Sequence, residues 1–148
     1  MRGMITMQIK TLFFDKQTVL RAVDKAKRAV LSKAGAFIRT TAKHSIRTKK
    51  GSAPAGQPPH SHEGSLRRLI YFGYDPTSDS VVVGPVGFQR STAPNVLEFG
   101  GKAEVRRRRR GQVFRTRVTI DQRPFMGPAL EKERPQLPKR WGGSVRGG

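Results

Sequence analysis

Two short stretches carry the side chains most able to do chemistry. Residues 58–63 read PPHSHE, which sets His60, His62 and Glu63 close together, and alternate histidines can face one metal ion. A stable site needs further ligands on rigid supports, and no second cluster accompanies this Pro-rich stretch, so neither a metal nor a cofactor is expected. The second stretch is a run of five arginines, Arg106, Arg107, Arg108, Arg109 and Arg110. Guanidinium groups grip phosphates bidentately, so such a run can hold a polyanion with salt-sensitive affinity that ignores base sequence. Its plainer reading is a solvated hairpin tip. Phe114 is the only aromatic residue interleaved nearby, which gives no support for base stacking.

Catalysis needs a nucleophile with a base and an orienting group, or two converging carboxylates. The ten acids are scattered: Asp75 and Asp79 bracket a turn, Glu131 and Glu133 fall on a surface helix, and Glu98 stands alone. No phosphate-binding glycine loop is present, so an enzyme is not expected. The absence of cysteine excludes disulfides and thiolate metal sites.

The net charge of +20 on 148 residues makes a polyanion or a strongly acidic protein the expected neighbour. That charge is uneven, at +11 over residues 1–50, −1 over 51–100 and +10 over 101–148. A coat for DNA has no need of a neutral centre, whereas a subunit packed among neighbours would use one for contacts. No run of 18 apolar residues occurs, so the chain reads as soluble and unsecreted, with no membrane partner.

The elements that must position these residues follow from periodicity. Residues 5–14, ITMQIKTLFF, alternate as a half-buried strand does, and Asp15 stands where a helix N-cap would. The next thirty-odd residues, without proline, gather Val19, Leu20, Val23, Ala26, Val30, Leu31, Ala34, Phe37, Ile38 and Thr41 into one helical arc of roughly 140°. Only Lys27 and Ser45 intrude, His44 sits at the edge as a core residue, and Arg21, Lys25, Arg28, Arg39, Lys43 and Arg47 lie opposite. Residues 48–64 hold three prolines and three glycines without periodicity, which reads as an extended arm that includes Pro58 and Pro59.

Beyond the arm, SLRRLIYFGY gives a helical turn or strand, and SVVVGP is a β-branched strand that pairs with it across the turn DPTSD. APNVLEFGG allows a helical turn stopped by Gly100 and Gly101. Residues 102–120 form a second hairpin bent near Gly111, with the arginines in or near its bend. A short helix is expected near Pro128–Glu133, then a Pro- and Gly-rich tail over 135–148 that is not ordered alone. The domain proper spans residues 1–134, with the arm at 51–64.

Four of these pieces, in this order, resemble the neck or tail-completion proteins of long-tailed DNA bacteriophages, a family of virion morphogenesis proteins. The pieces are the long helix ending in TKKGSAPAGQPPHSHEGSLRRLI, the strand SVVVGP, the turn APNVLEFGG and the late RPFMGPALEK. The five arginines and the tail after Trp141 are not part of the likeness, and TAPN precedes the EFG turn where the family commonly has a tyrosine and an alanine.

The resemblance implies an α+β domain, a long helix packed on a small antiparallel sheet, without catalysis. It implies a homo-oligomeric ring at the virion neck, between portal-adaptor and tail-terminator proteins, with genomic DNA in its lumen. On that reading Glu98, Phe99, Gly100, Arg123, Pro124, Phe125, Pro58 and Pro59 are the candidate contacts with other subunits or partners. Gly100 would give the tight reversal and Phe99 anchor it in the core, leaving Glu98 for an arginine of an adjacent copy or of its own chain. Pro124 would stiffen the entry to the last helix while Phe125 caps the core. The plainer reading of both motifs is that they hold the fold together. Arg106–Arg110 would face DNA or an acidic neighbour. The alternative function is a sequence-independent nucleic-acid-binding protein acting through its basic helix face and arginine run.

Overall fold

The computed structural model describes residues 16–88 and 92–144, so the strand expected at 5–14 and its Asp15 cap lie outside the described residues. The architecture is α+β. It comprises α1 (Lys16–Ser45), α2 (Ser65–Arg68), β1 (Ile70–Asp75), β2 (Ser80–Pro85), α3 (Ala93–Phe99), β3 (Gly101–Arg109), β4 (Gln112–Ile120), α4 (Met126–Glu133), a 3-10 turn (Arg134–Gln136) and α5 (Leu137–Trp141). Among the described residues no helix is long and apolar enough to cross a membrane.

The 30 residues of α1 make a rod about 45 Å long at 1.5 Å per residue. Its buried stripe is Ala26, Val30, Ala34, Gly35, Ile38 and Ala42, continued by Ile46 just past its end. The expected arc is therefore right in period but too wide and too long. Val19, Leu20 and Val23 extend beyond the β1–β2 hairpin that covers the helix, and Phe37 lies at the arc's margin, so all four are 40–51% exposed. His44, expected in the core, is exposed, because Ala42 and Ile46 face inward on either side of it.

Gly35 explains how closely the hairpin approaches. A Cβ there would lie 2.6 Å from Val81 Cγ2 and 2.9 Å from the Phe72 ring, so only the missing side chain lets strand and helix touch. The intruding Lys27 also acquires a reason. Its ammonium pairs with Asp79 at the hairpin turn and with Asp24 at 3.3 Å, tying the far end of the hairpin to the helix. Some of the basic outer face is engaged as well. Arg39 Nε donates to the Ile70 carbonyl at 2.7 Å, and Arg28, Arg39 and Lys43 lie over the Tyr74 and Tyr71 rings.

The core is one cluster of Ile38, Ala42, Ile46, Leu66, Ile70, Phe125 and Ala129, in which α1 meets α2, β1 and α4. The sheet, expected as one, is two separate antiparallel hairpins, and only β1–β2 packs on the helix. The arm, expected to extend, is held against the body of the domain. Ala53 and Pro59 are buried, Ser61 N donates to Arg47 O at 2.9 Å, and Gly56 N donates to Gln122 O at 2.8 Å. Backbone groups that would otherwise face solvent are satisfied by the body of the domain, and that fixes the arm.

Residues 134–141 correct the expected tail in the same way. Arg140 lies over the Phe37 ring at 3.7 Å and pairs with Glu133 at 3.1 Å, while Glu133 also accepts from the Thr41 hydroxyl at 2.6 Å. Those contacts dock α5 on α1. The Thr41 hydroxyl, and after it Arg140, hold the Glu133 carboxyl below its ordinary value against an opposing effect of burial. A depressed carboxylate value stabilises fully above the ordinary value and is lost as pH falls through the lowered one. Fluorescence of Trp141, the chain's one tryptophan, should stay constant at neutral pH and change as the acid range is entered, before global unfolding. Glu133→Gln should remove that early step. Separately, Gly35→Val should destabilise the fold by about 2 kcal/mol in urea denaturation, because neither Val81 nor the Phe72 ring can withdraw without opening the hairpin.

Candidate functional site

The residues singled out in sequence lie far apart along the chain and meet at one place. Helix α3 ends at Gly100, where φ is 74° and an added Cβ would approach Gln122 N at 3.1 Å. Glycine is therefore required at the reversal both for its backbone conformation and for space. Helix α4 begins at Met126 with no side-chain cap of its own and no acid in its first turn. Glu98 of α3 supplies both. Its Oε2 accepts from Phe125 N at 2.9 Å and Met126 N at 3.0 Å, and its Oε1 accepts from Gly127 N at 2.7 Å. Three of the amides that a helix start leaves unpaired are closed by one carboxylate, whose charge also complements the positive end of the helix dipole.

Arg123 completes the junction. Its backbone N donates to Leu97 O at 2.5 Å, its Nε to Ala53 O at 2.7 Å and its Nη1 to Asp121 O at 3.0 Å. The arm, the EFG turn and the RPF stretch are thus one hydrogen-bonded knot. Several candidate contacts are accordingly structural. Phe125 is 1% exposed in the core, Pro59 is fully buried, Pro58 and Pro124 are partly covered, and Glu98, expected to pair with an arginine of an adjacent copy or of its own chain, is engaged within its own chain by backbone amides. Phe99 departs from expectation in the other direction. It does not anchor the turn in the core but is 74% exposed, because the turn that aims Glu98 at α4 aims Phe99 outward.

Beside the knot lies an open groove of about 770 Å³ between α1, β2, α3 and α4. Leu31, Ile38, Val83, Met126 and Leu137 line it, and Val82, Phe99 and Leu130 are its exposed apolar members. Among the described residues Glu98 is its only charged lining residue, and that carboxylate is already hydrogen-bonded. Phe125, just before α4, and Ala129 are buried in the core, while Met126 and Leu130, also four apart, line the groove, Met126 packing against the core as well. The MGPAL spacing held that signal, but a single short helix does not say which stripe is covered.

The arginine run occupies a different surface. Arg109 pairs with Gln112, so Arg110 and Gly111 form a two-residue turn, both with positive φ (49° and 80°), as a hairpin matched to strand twist requires. Only Arg110 is in the bend; Arg106–Arg109 are on the strand, and every residue from 106 to 117 is exposed. His60 has a structural use, with Nδ1 placed 3.3 Å from Gly51 O. Among the described residues no three His, Asp or Glu side chains gather as metal ligands. Compared with protein-family models, curated proteins and solved structures, the chain finds no match in any of the three.

Removing the Glu98 carboxylate should loosen α4 specifically. Glu98→Ala should cost about 2 kcal/mol of stability, and Glu98→Gln less, since one acceptor oxygen remains. Amide exchange at Phe125, Met126 and Gly127 should accelerate in both, which nuclear magnetic resonance can read residue by residue.

Proposed function

We propose that this chain is a non-enzymatic structural subunit of the neck of a tailed DNA phage, assembling with copies of itself into a ring between head connector and tail. The observation that carries the reading is the single knot joining the arm, the EFG turn and the RPF stretch, three of the pieces on which the family resemblance rests. Next to it the chain presents an apolar, nearly uncharged groove. Copies that each carry +20 repel one another, so a stable contact between them belongs where basic residues are absent. Among the described residues the groove lining satisfies that condition, and its exposed Phe99 has the size and rigidity of an interface anchor. The basic surfaces are then left for DNA in the lumen and for acidic faces of the portal-adaptor and tail-terminator proteins.

The alternative, a sequence-independent nucleic-acid-binding protein outside any virion, draws on the exposed arginine hairpin together with the basic helix face, of which Arg21 and Lys25 are exposed. Self-association separates the two. Because Glu98 and the arm hold the fold, the informative substitutions are exposed ones. Phe99→Ser and Leu130→Asp should leave the melting temperature nearly unchanged and weaken self-association, measured by sedimentation, by about tenfold or more, equivalent to about 1.4 kcal/mol. A wild-type chain that stays monomeric at high concentration, or variants that associate as wild type does, would count against the connector reading.

A further inference from the structure

The β3–β4 hairpin is a ribbon of nine paired positions, about 30 Å long, joined to the body chiefly at α3. Its register sorts the charges by face. Opposed residues share a face and alternate residues along a strand return to it. One face therefore carries the pairs Lys102–Thr119, Glu104–Arg117, Arg106–Arg115 and Arg108–Val113. The other carries Ala103–Val118, Val105–Thr116, Arg107–Phe114 and Arg109–Gln112. The first face has five cations and one acid; the second has two arginines, and its end nearest the body is apolar and partly covered.

Arg106 stands directly opposite Arg115, a like-charge pair that weakens a hairpin on its own. Among the described residues the ribbon holds one ion pair, between Arg115 Nε and Glu104 Oε1 at 3.5 Å. That single carboxylate cannot neutralise five cations, so the face is short of negative charge. On α1, by contrast, Arg28, Arg39 and Lys43 already lie against β1 tyrosines.

We infer that the Lys102, Arg106, Arg108, Arg115 and Arg117 face of the ribbon is a binding surface for the phosphate backbone of duplex DNA, independent of base sequence, and that Arg107, Arg109 and Arg110 contribute little. Same-face residues on one strand recur about every 6.7 Å, which is two phosphate steps of a duplex at 3.4 Å per step along its axis. The two strands lie about 4.8 Å apart, so the arginine roots form a compact grid that flexible guanidinium arms can fit to successive phosphates, each bidentately. A duplex supplies negative charge at that density without a break, whereas an acidic protein would need a purpose-built carboxylate cluster. This inference rests on the connector reading only in assigning the ribbon to the DNA path.

The test compares two full-length variants of equal net charge, Arg106→Gln/Arg115→Gln/Arg117→Gln and Arg107→Gln/Arg109→Gln/Arg110→Gln. Binding of a mixed-sequence DNA duplex of about 30 base pairs is followed by fluorescence anisotropy across a salt series, with circular dichroism to verify the fold. The first triple should lower the slope of log affinity against log salt by about 2.7, at 0.9 for each lost contact, and the second by less than about 1. Equal losses in the two variants would mean net charge alone acts, and no loss in the first would place the contact elsewhere. Displacement of the duplex by equimolar poly-glutamate would assign the face to an acidic protein. Each of these three results overturns the inference. Sedimentation of the same samples keeps the two readings apart, since a chain that binds DNA through this face without self-associating retains this inference and loses the connector reading. A chain that self-associates without binding DNA does the reverse.

Discussion

One carboxylate joins α3 to the start of α4. Glu98 ends α3 and its oxygens close the exposed start of α4, a helix that lacks a cap of its own. Phe125 and Ala129 depend on that docking to reach the core, and α5 follows α4 onto α1 through Glu133 and Arg140. On the other side of the same junction, Arg123 holds the arm by the Ala53 carbonyl. The reversal at Gly100 sets both directions at once, turning Glu98 inward and Phe99 outward to the groove.

Charge and apolar surface are kept apart by the fold. The apolar groove is floored by α1, β2 and α4 and, among the described residues, contains no cation, while a face of five cations and one acid lies on the ribbon beyond α3. A subunit built so can meet a copy of itself on one surface and a polyanion on another without the two contacts competing. The helix's basic side does less of this than its composition suggests, because Arg39 is hydrogen-bonded to β1 and lies with Lys43 over Tyr71.

Local periodicity made much of this legible in the sequence. The long helix, both hairpins and the turn at DPTSD follow from spacing and turn chemistry within a few residues, and α3 and α4 fall where their motifs stand. What was not legible depends on contacts across the chain. Nothing local to Glu98 says that it reaches amides 27 to 29 residues away, so an arginine, of its own chain or of an adjacent copy, was the expected partner. The arm read as extended because the hydrogen bonds that tie it to the domain are to Arg47, Gln122 and Arg123, outside its own segment. Val19, Leu20 and Val23 share the helix's apolar arc, but the β1–β2 hairpin ends before it reaches them. Cross-strand register, which sorts the arginines by face, depends on the loop being two residues long at Arg110 and Gly111; the run of five by itself leaves that open.

On the proposed function the apolar groove is the surface on which copies meet, and the ribbon remains outside that contact. Single-particle cryo-electron microscopy of the purified full-length chain with duplex DNA tests it most directly. A closed ring is expected, in which Phe99 and Leu130 of each copy are buried against the next and the ribbons project toward the DNA. Particles in which the groove stays open to solvent, or in which copies join through their ribbons, would contradict it.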